Sequence, residues 1–144
     1  MSKQDADSIE SFHKKCRAGR LKVTPQRSAI YASLLGDKEH PSADVVFRRL
    51  RKTLPSISFD TVNRTLLTFV DLGILKMVEG YGRPKRFDPD TDQHHHFQCL
   101  KCNKIVDFYN QTLDAIQVPK GLMSRFTITG KKVVLEGICK ACNK

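Results

Sequence analysis

A chain of 144 residues can form one ordinary domain or two small ones, and its 40% hydrophobic content supplies a core that disordered chains lack. No apolar run approaches the roughly 18 residues of a membrane span, and the polar start MSKQDADSIESFHKKC has no signal-peptide stretch, so the cytosol is the expected location. The net charge of +10 suits an anionic partner such as nucleic acid or an anionic membrane surface, the plainer alternative being a soluble basic protein.

In chain order, Ser8 to Ala18 has the pattern of a short amphipathic helix, with Cys16 as a spare thiol near its end. Thr24-Pro25, a capping residue followed by proline at the first helical position, opens a second helix that turns Ile30, Leu34 and Leu35 inward and stops at Gly36. A third opens at Ser42 after Pro41 and runs through Val45, Val46 and Leu50 to about Thr53. Pro55 separates it from a fourth, which starts near Ser58 and ends before Gly73; Val62, Leu66, Phe69 and Val70 lie on one of its faces. ILKMVEG and KRFD, flanking Tyr81-Gly82-Arg83-Pro84, read as a hairpin.

Three helices, a sharp connection and a basic hairpin make a winged helix-turn-helix, whose recognition helix is the one from Ser58. Asp60, Thr61, Asn63 and Arg64 lie away from its apolar stripe, where base-contacting residues sit in such motifs. Lys76, Arg83, Lys85 and Arg86 place positive charge on the wing for phosphates. The structural alternative is a small helical domain with a solvated polar helix.

The segment DPDTDQ, residues 88–93, has the composition of a linker. The expected boundaries are a winged-helix DNA-binding domain at 1–88, a hinge at 89–93 and a metal-binding domain at 94–144, in an α+β chain. Beyond the linker, HHHFQC and KIVDFY bracket CLKCNK in a strand–knuckle–strand pattern. Gln111 to Ile116 reads as a short helix, and FTITG and KKVVLEGIC, turning at Gly130-Lys131, as a second hairpin that delivers Cys139.

Cys99-x-x-Cys102 and Cys139-x-x-Cys142 each hold two thiolates on one side of a tight loop, and together they complete a tetrahedron around Zn²⁺ with no open position. Such a site fastens structure; the alternative is a redox dithiol. Four thiolates on one Zn²⁺ lower the net charge of the back part by 2, leaving the front the more basic. Strand alternation points His94 and His96 one way and His95 and Phe97 the other, so the imidazoles at i and i+2 can grip one ion. Asp107 on the neighbouring strand, Asp88 at the end of the wing and His40 at the start of a helix are further donors. This nitrogen–oxygen set suits Fe²⁺, Mn²⁺ or Zn²⁺, the carboxylates moving the preference toward Fe and Mn.

HHHFQCLKC, CKAC, TPQR (Thr24–Arg27), EHPSAD (Glu39–Asp44) and DTVNRTL (Asp60–Leu66) together resemble the ferric-uptake-regulator family of bacterial metal-responsive repressors, from about Leu21 to Cys142. The resemblance implies an N-terminal winged helix hinged to a C-terminal α/β dimerisation domain, hence a homodimer on double-stranded operator DNA and no enzyme. Carried over by position, the regulatory site falls on His40, Asp88, His94, His96 and Asp107. Aspartate in the IVDF segment is similar to the peroxide-sensing branch, whereas iron-sensing members usually carry glutamate. In that branch Fe²⁺ and hydrogen peroxide oxidise ligand histidines, here matched by His40 and His94; the alternative is an iron, manganese or zinc uptake regulator without that chemistry.

Three departures stand out. Asn63 replaces a tyrosine associated with DNA contact. A further metal site of some members maps onto Gln93, His95, Asp114 and Lys131, where lysine replaces histidine, so that site is expected to be absent or weak. The acidic or histidine-rich tail that some members carry after the last cysteine is reduced to Asn143-Lys144. Two readings from other classes are a metallo-hydrolase using His94, His96 and an acid, and a ribbon-type scaffold with structural zinc alone.

Overall fold

Helix α1, Lys3–Ala18, begins upstream of the expected Ser8 because Ser2 and Asp5 form a capping box: the Ser2 hydroxyl accepts the Asp5 N–H at 3.1 Å and the Asp5 carboxylate accepts the Ser2 N–H at 3.0 Å. The computed structural model describes residues 2–78 and 84–144, and the chain divides into two units, Met1–Thr91 and Asp92–Lys144.

In the first unit, α2 spans Pro25–Ala32, α3 Ala43–Leu50 and α4 Phe59–Asp71. Thr24, Ser42 and Ser58 cap them by accepting the N–H of Arg27, Val45 and Thr61. Helices α2 and α3 end earlier than expected, the chain continuing as turns through Gly36 and Thr53. Gly36 and Gly73 sit at φ +70° and +71°, the left-handed conformation that favours glycine after a helix. The core is knit by rings: Phe12 stacks on Tyr31 at 4.3 Å and meets Phe69 edge-on at 5.4 Å. Ile30, Leu34, Val46, Leu50, Val62 and Leu66 fill the rest, and Cys16, also fully buried, lies in this core rather than at its rim. Burial pushes the Cys16 thiol pKa up.

Strands β1 (Lys76–Val78) and β2 (Arg86–Asp88) pair antiparallel, Lys76 opposite Asp88. The expected connection Tyr81-Gly82-Arg83, and with it Arg83, lies outside the described residues.

The second unit is a three-stranded sheet in the order β4-β3-β5, with β3 His95–Cys99, β4 Ile105–Phe108 and β5 Val134–Gly137. Two short helices, α5 (Gln111–Asp114) and α6 (Lys120–Met123), lie between β4 and β5; α6 was not expected. The expected FTITG–KKVVLEGIC hairpin is a correction: β5 pairs parallel with β3, and Phe126–Gly130 forms no strand. Parallel strands need a crossover connection of a dozen or more residues, and the stretch between β4 and β5 serves as that crossover. The alternation that suggested a strand leaves Phe126 and Ile128 exposed.

Candidate metal centres and nucleic-acid face

The parallel register explains how four cysteines distant in sequence converge. Cys99 ends β3 opposite Gly137 of β5, so Cys139, two residues further on, arrives beside it. A side chain at Gly137 would press on the Phe97 ring, since a Cβ there would lie 3.2 Å from it. Asn103, at φ +67°, closes the first knuckle with its N–H on the Cys99 carbonyl at 2.9 Å; the N–H of Cys142 bonds the Cys139 carbonyl at 3.0 Å in the second.

The sulfurs of Cys99, Cys102, Cys139 and Cys142 all lie within 4.8 Å of one another, with Cys102 and Cys139 at 3.7 Å. A tetrahedral Zn–S distance of about 2.3 Å requires sulfurs about 3.8 Å apart, so the donor set fits zinc. N–H groups of Cys102 and Cys139 point at the Cys99 sulfur and pull its pKa down to about 6, while the hydrogen bonds that the Cys142 thiol donates to the Cys139 and Cys102 sulfurs push Cys142 up to about 12. Cys99 is thereby prepared as a thiolate.

A second group lies on one face of the β3–β4 ladder. His96 stands opposite Asp107 in register, its Nε2 3.1 Å from Asp107 Oδ1. His94 Nε2 is 3.1 Å from His96 Nε2 and 3.5 Å from the same carboxylate oxygen. Metal–nitrogen and metal–oxygen distances near 2.1 Å place adjacent ligands about 3.0 Å apart in an octahedron and about 3.4 Å apart in a tetrahedron, so this triangle suits a transition-metal ion. His94 Nδ1 lies 2.7 Å from the Asp92 carbonyl, which can only accept; the proton therefore sits on Nδ1 and the Nε2 lone pair faces the triangle.

In the first unit His40 Nε2 and Asp88 Oδ2 are 3.3 Å apart, both side chains buried. Two devices hold them. His40 adopts φ +53°, an uncommon conformation for a non-glycine residue, just before the α3 cap. The Phe87 N–H bonds the Pro41 carbonyl at 3.0 Å, and the Arg86 guanidinium donates to the carbonyls of Glu39 and His40. The other Asp88 oxygen accepts the Asp90 N–H at 2.9 Å. Arg86, expected on the wing for phosphates, is thus half-buried and bound to the chain itself. The backbone groups of Asp90 and Asp92 that orient Asp88 and His94 leave no trace in the sequence, because any residue type supplies them.

On α4, Asp60 and Arg64 are exposed and paired with each other at i, i+4, while Thr61 and Asn63 are half-buried. The Ser58 hydroxyl is engaged as the helix cap and with Thr61 Oγ1 at 2.9 Å; Lys85 is exposed.

The model of the "Ferric uptake regulator family" matches residues 18–136. The chain belongs to the ferric uptake regulator family. A peroxide-responsive repressor PerR of Staphylococcus epidermidis is 36% identical over 138 residues, covering 96% of this chain and 89% of that one. Among solved structures, the Helicobacter pylori ferric uptake regulator Fur shares the fold with a TM-score of 0.79 at 19% identity, covering 96% and 93% of the two chains. PerR from Streptococcus pyogenes, described for peroxide sensing and gene regulation, aligns at a TM-score of 0.54 and 28% identity, covering 94% and 93%. The mixed α+β architecture and the cysteine cluster near the C-terminus are those of Fur-family regulators, and the chain combines a zinc-type thiolate cluster with histidine–aspartate groups for a regulatory metal. Among the described residues no helix is long and apolar enough to cross a membrane.

Proposed function

We propose that this chain is a metal-dependent transcriptional repressor of the peroxide-responsive kind, binding operator DNA as a homodimer in the cytosol. The observation that carries the reading is the His94–His96–Asp107 triangle, with the His94 Nε2 lone pair turned toward it. The 36% identity to a peroxide-responsive repressor and the aspartate at 107 support the peroxide branch.

The cysteine cluster holds Zn²⁺ and maintains the second unit. Leu122, Met123, Phe126, Val134 and Leu135, exposed on that unit, are the apolar surface a second copy would cover. His40 and Asp88 come from the first unit, and His94, His96 and Asp107 from the second. Five donors divided between two units are satisfied together in one arrangement, which ion binding then favours by its differential affinity. In a dimer that arrangement sets two α4 helices for successive major-groove faces, with Asp60, Thr61, Asn63 and Arg64 toward base edges and Lys85 toward phosphate.

Bound Fe²⁺ would supply reduction of hydrogen peroxide next to the ligand imidazoles. His40 or His94 would take up one peroxide oxygen, the O–O bond breaking and the other oxygen leaving as water. An oxidised imidazole is a poorer donor, so the set of five loosens and the two units lose their common arrangement. Bound Mn²⁺ would hold the same set without that chemistry.

The test is mass spectrometry of the Fe²⁺-loaded protein after peroxide, beside gel shifts with Fe²⁺ and Mn²⁺ added singly. A one-oxygen mass gain on His40 or His94, with loss of operator binding only in the Fe²⁺ form, is expected. Unmodified histidines with release from DNA point instead to plain metal sensing. Operator binding indifferent to both ions overturns the regulatory site.

A further inference from the structure

The face of β3 opposite His94 and His96 carries a polar cluster that the proposed function leaves unused. His95 is 0% exposed, and both its ring nitrogens are engaged. The Val133 N–H donates to His95 Nδ1 at 3.1 Å, and His95 Nε2 lies 2.7 Å from Asp114 Oδ1. Because Nδ1 accepts, it carries the lone pair, and Nε2–H is the side that donates to the carboxylate.

Further bonds close the cluster. The Gln93 amide donates to the Lys131 carbonyl at 2.6 Å, and the Lys131 ammonium donates to the Ile116 carbonyl. The His96 N–H bonds the Val133 carbonyl at 3.2 Å, so Val133 is held on both sides by consecutive residues of β3. His95 thus fastens the central strand to the end of α5 and to the approach of β5. It does so with groups unsuited to a metal: an ammonium has no lone pair, and the lone pair of the imidazole is spent on a backbone N–H.

We propose that His95 is a positioning residue: with Asp114 and Val133 it forms a metal-free pin that fixes the rotation of β3 and so presents the imidazoles of His94 and His96 on the opposite face. The reasoning is steric. Side chains alternate along a strand, so neither neighbour can turn without turning His95, and His95 is held at both ring nitrogens. The role rests on the regulatory-site reading, while the pin itself does not.

The test uses the full zinc-loaded chain. Mn²⁺ titration and zinc content are measured for the wild type, His95→Phe, His95→Gln and Asp114→Ala, and long-range ¹H–¹⁵N NMR reads the His95 tautomer in the wild type without Mn²⁺. Phenylalanine keeps the ring and removes both bonds; glutamine keeps one acceptor and one donor. Expected are an Nε2–H tautomer, Mn²⁺ affinity weakened about 10- to 100-fold in His95→Phe and Asp114→Ala with zinc retained, as for other groups that orient metal ligands, and recovery toward wild type in His95→Gln. An Nδ1–H tautomer, or Mn²⁺ binding unchanged in His95→Phe, overturns the proposal. So does a second Mn²⁺ per chain that disappears in Asp114→Ala, since that would make the cluster a metal site. Should His95→Phe fail to fold, Asp114→Ala and the tautomer decide. A wild type that takes up no Mn²⁺ sinks the regulatory reading and the positioning role with it, and the tautomer then reports on the pin alone.

Discussion

His96 and Asp107 face each other across the β3–β4 ladder with Nε2 and Oδ1 3.1 Å apart, the carboxylate also lying 3.5 Å from His94. One aspartate therefore serves two imidazoles, and its removal strips an anionic donor from the triangle. Asp107→Ala is expected to weaken Mn²⁺ binding by at least the 10- to 100-fold that loss of an outer partner alone costs, with zinc content unchanged. Isothermal titration beside elemental analysis checks this; wild-type Mn²⁺ affinity would remove Asp107 from the site.

Arg86 tests whether the first unit's contribution depends on backbone placement. Its guanidinium holds the carbonyls of Glu39 and His40, next to the left-handed His40. Arg86→Ala is expected to weaken metal-dependent operator binding several-fold although the side chain is not a proposed ligand. Gel shifts over a Mn²⁺ series, compared with Lys85→Ala, separate the two effects: Arg86→Ala moves the metal midpoint and Lys85→Ala does not.

For Lys85→Ala the expected signature lies in salt. A lysine on a phosphate displaces about one counterion, so the slope of log affinity against log salt should fall by about one, uniformly across sequences. Unchanged salt dependence would place Lys85 away from the DNA.

Cys139 sits beside Cys99 only because β5 lies parallel to β3. Cys139→Ser is expected to lose zinc and, with it, the ordered end of the second unit, since structural metal binding is coupled to folding. Elemental analysis and size-exclusion chromatography check the paired loss of zinc and dimer. A zinc-free variant that stays dimeric would show that the cluster is dispensable for assembly.

Phe69 is fully buried and meets both Phe12 and Tyr31 edge-on. Phe69→Ala should destabilise the first unit by about 3–5 kcal/mol, read by urea unfolding, while zinc content stays at the wild-type level because the cysteine cluster belongs to the other unit.

Much of the winged-helix unit was legible in the chain because its signals are local. Thr24-Pro25, Ser42 and Ser58 announce helix starts through hydrogen bonds that span three residues. Helix α1 began earlier than expected because Asp5 stands in the capping box where glutamate is usual. The second unit was harder to read. FTITG alternates like a strand, yet alternation says nothing about which edge accepts it, and the central strand β3 took β5 in parallel instead.

The sequence by itself determined the chemistry: which side chains can bind metal, that the cysteine pairs carry four soft donors, and that His94 and His96, two residues apart in extended chain, point the same way. These follow from residue type and from the period of a strand. Only tertiary structure decided how the donors are aimed. The Asp92 carbonyl sets the His94 tautomer, the Asp90 N–H turns Asp88, Arg86 is drawn from the wing to brace His40, and Val133 with Asp114 pins His95. Each of these partners is a main-chain group or a residue far along the chain from the one it holds, and neither can be read from the sequence until the chain folds.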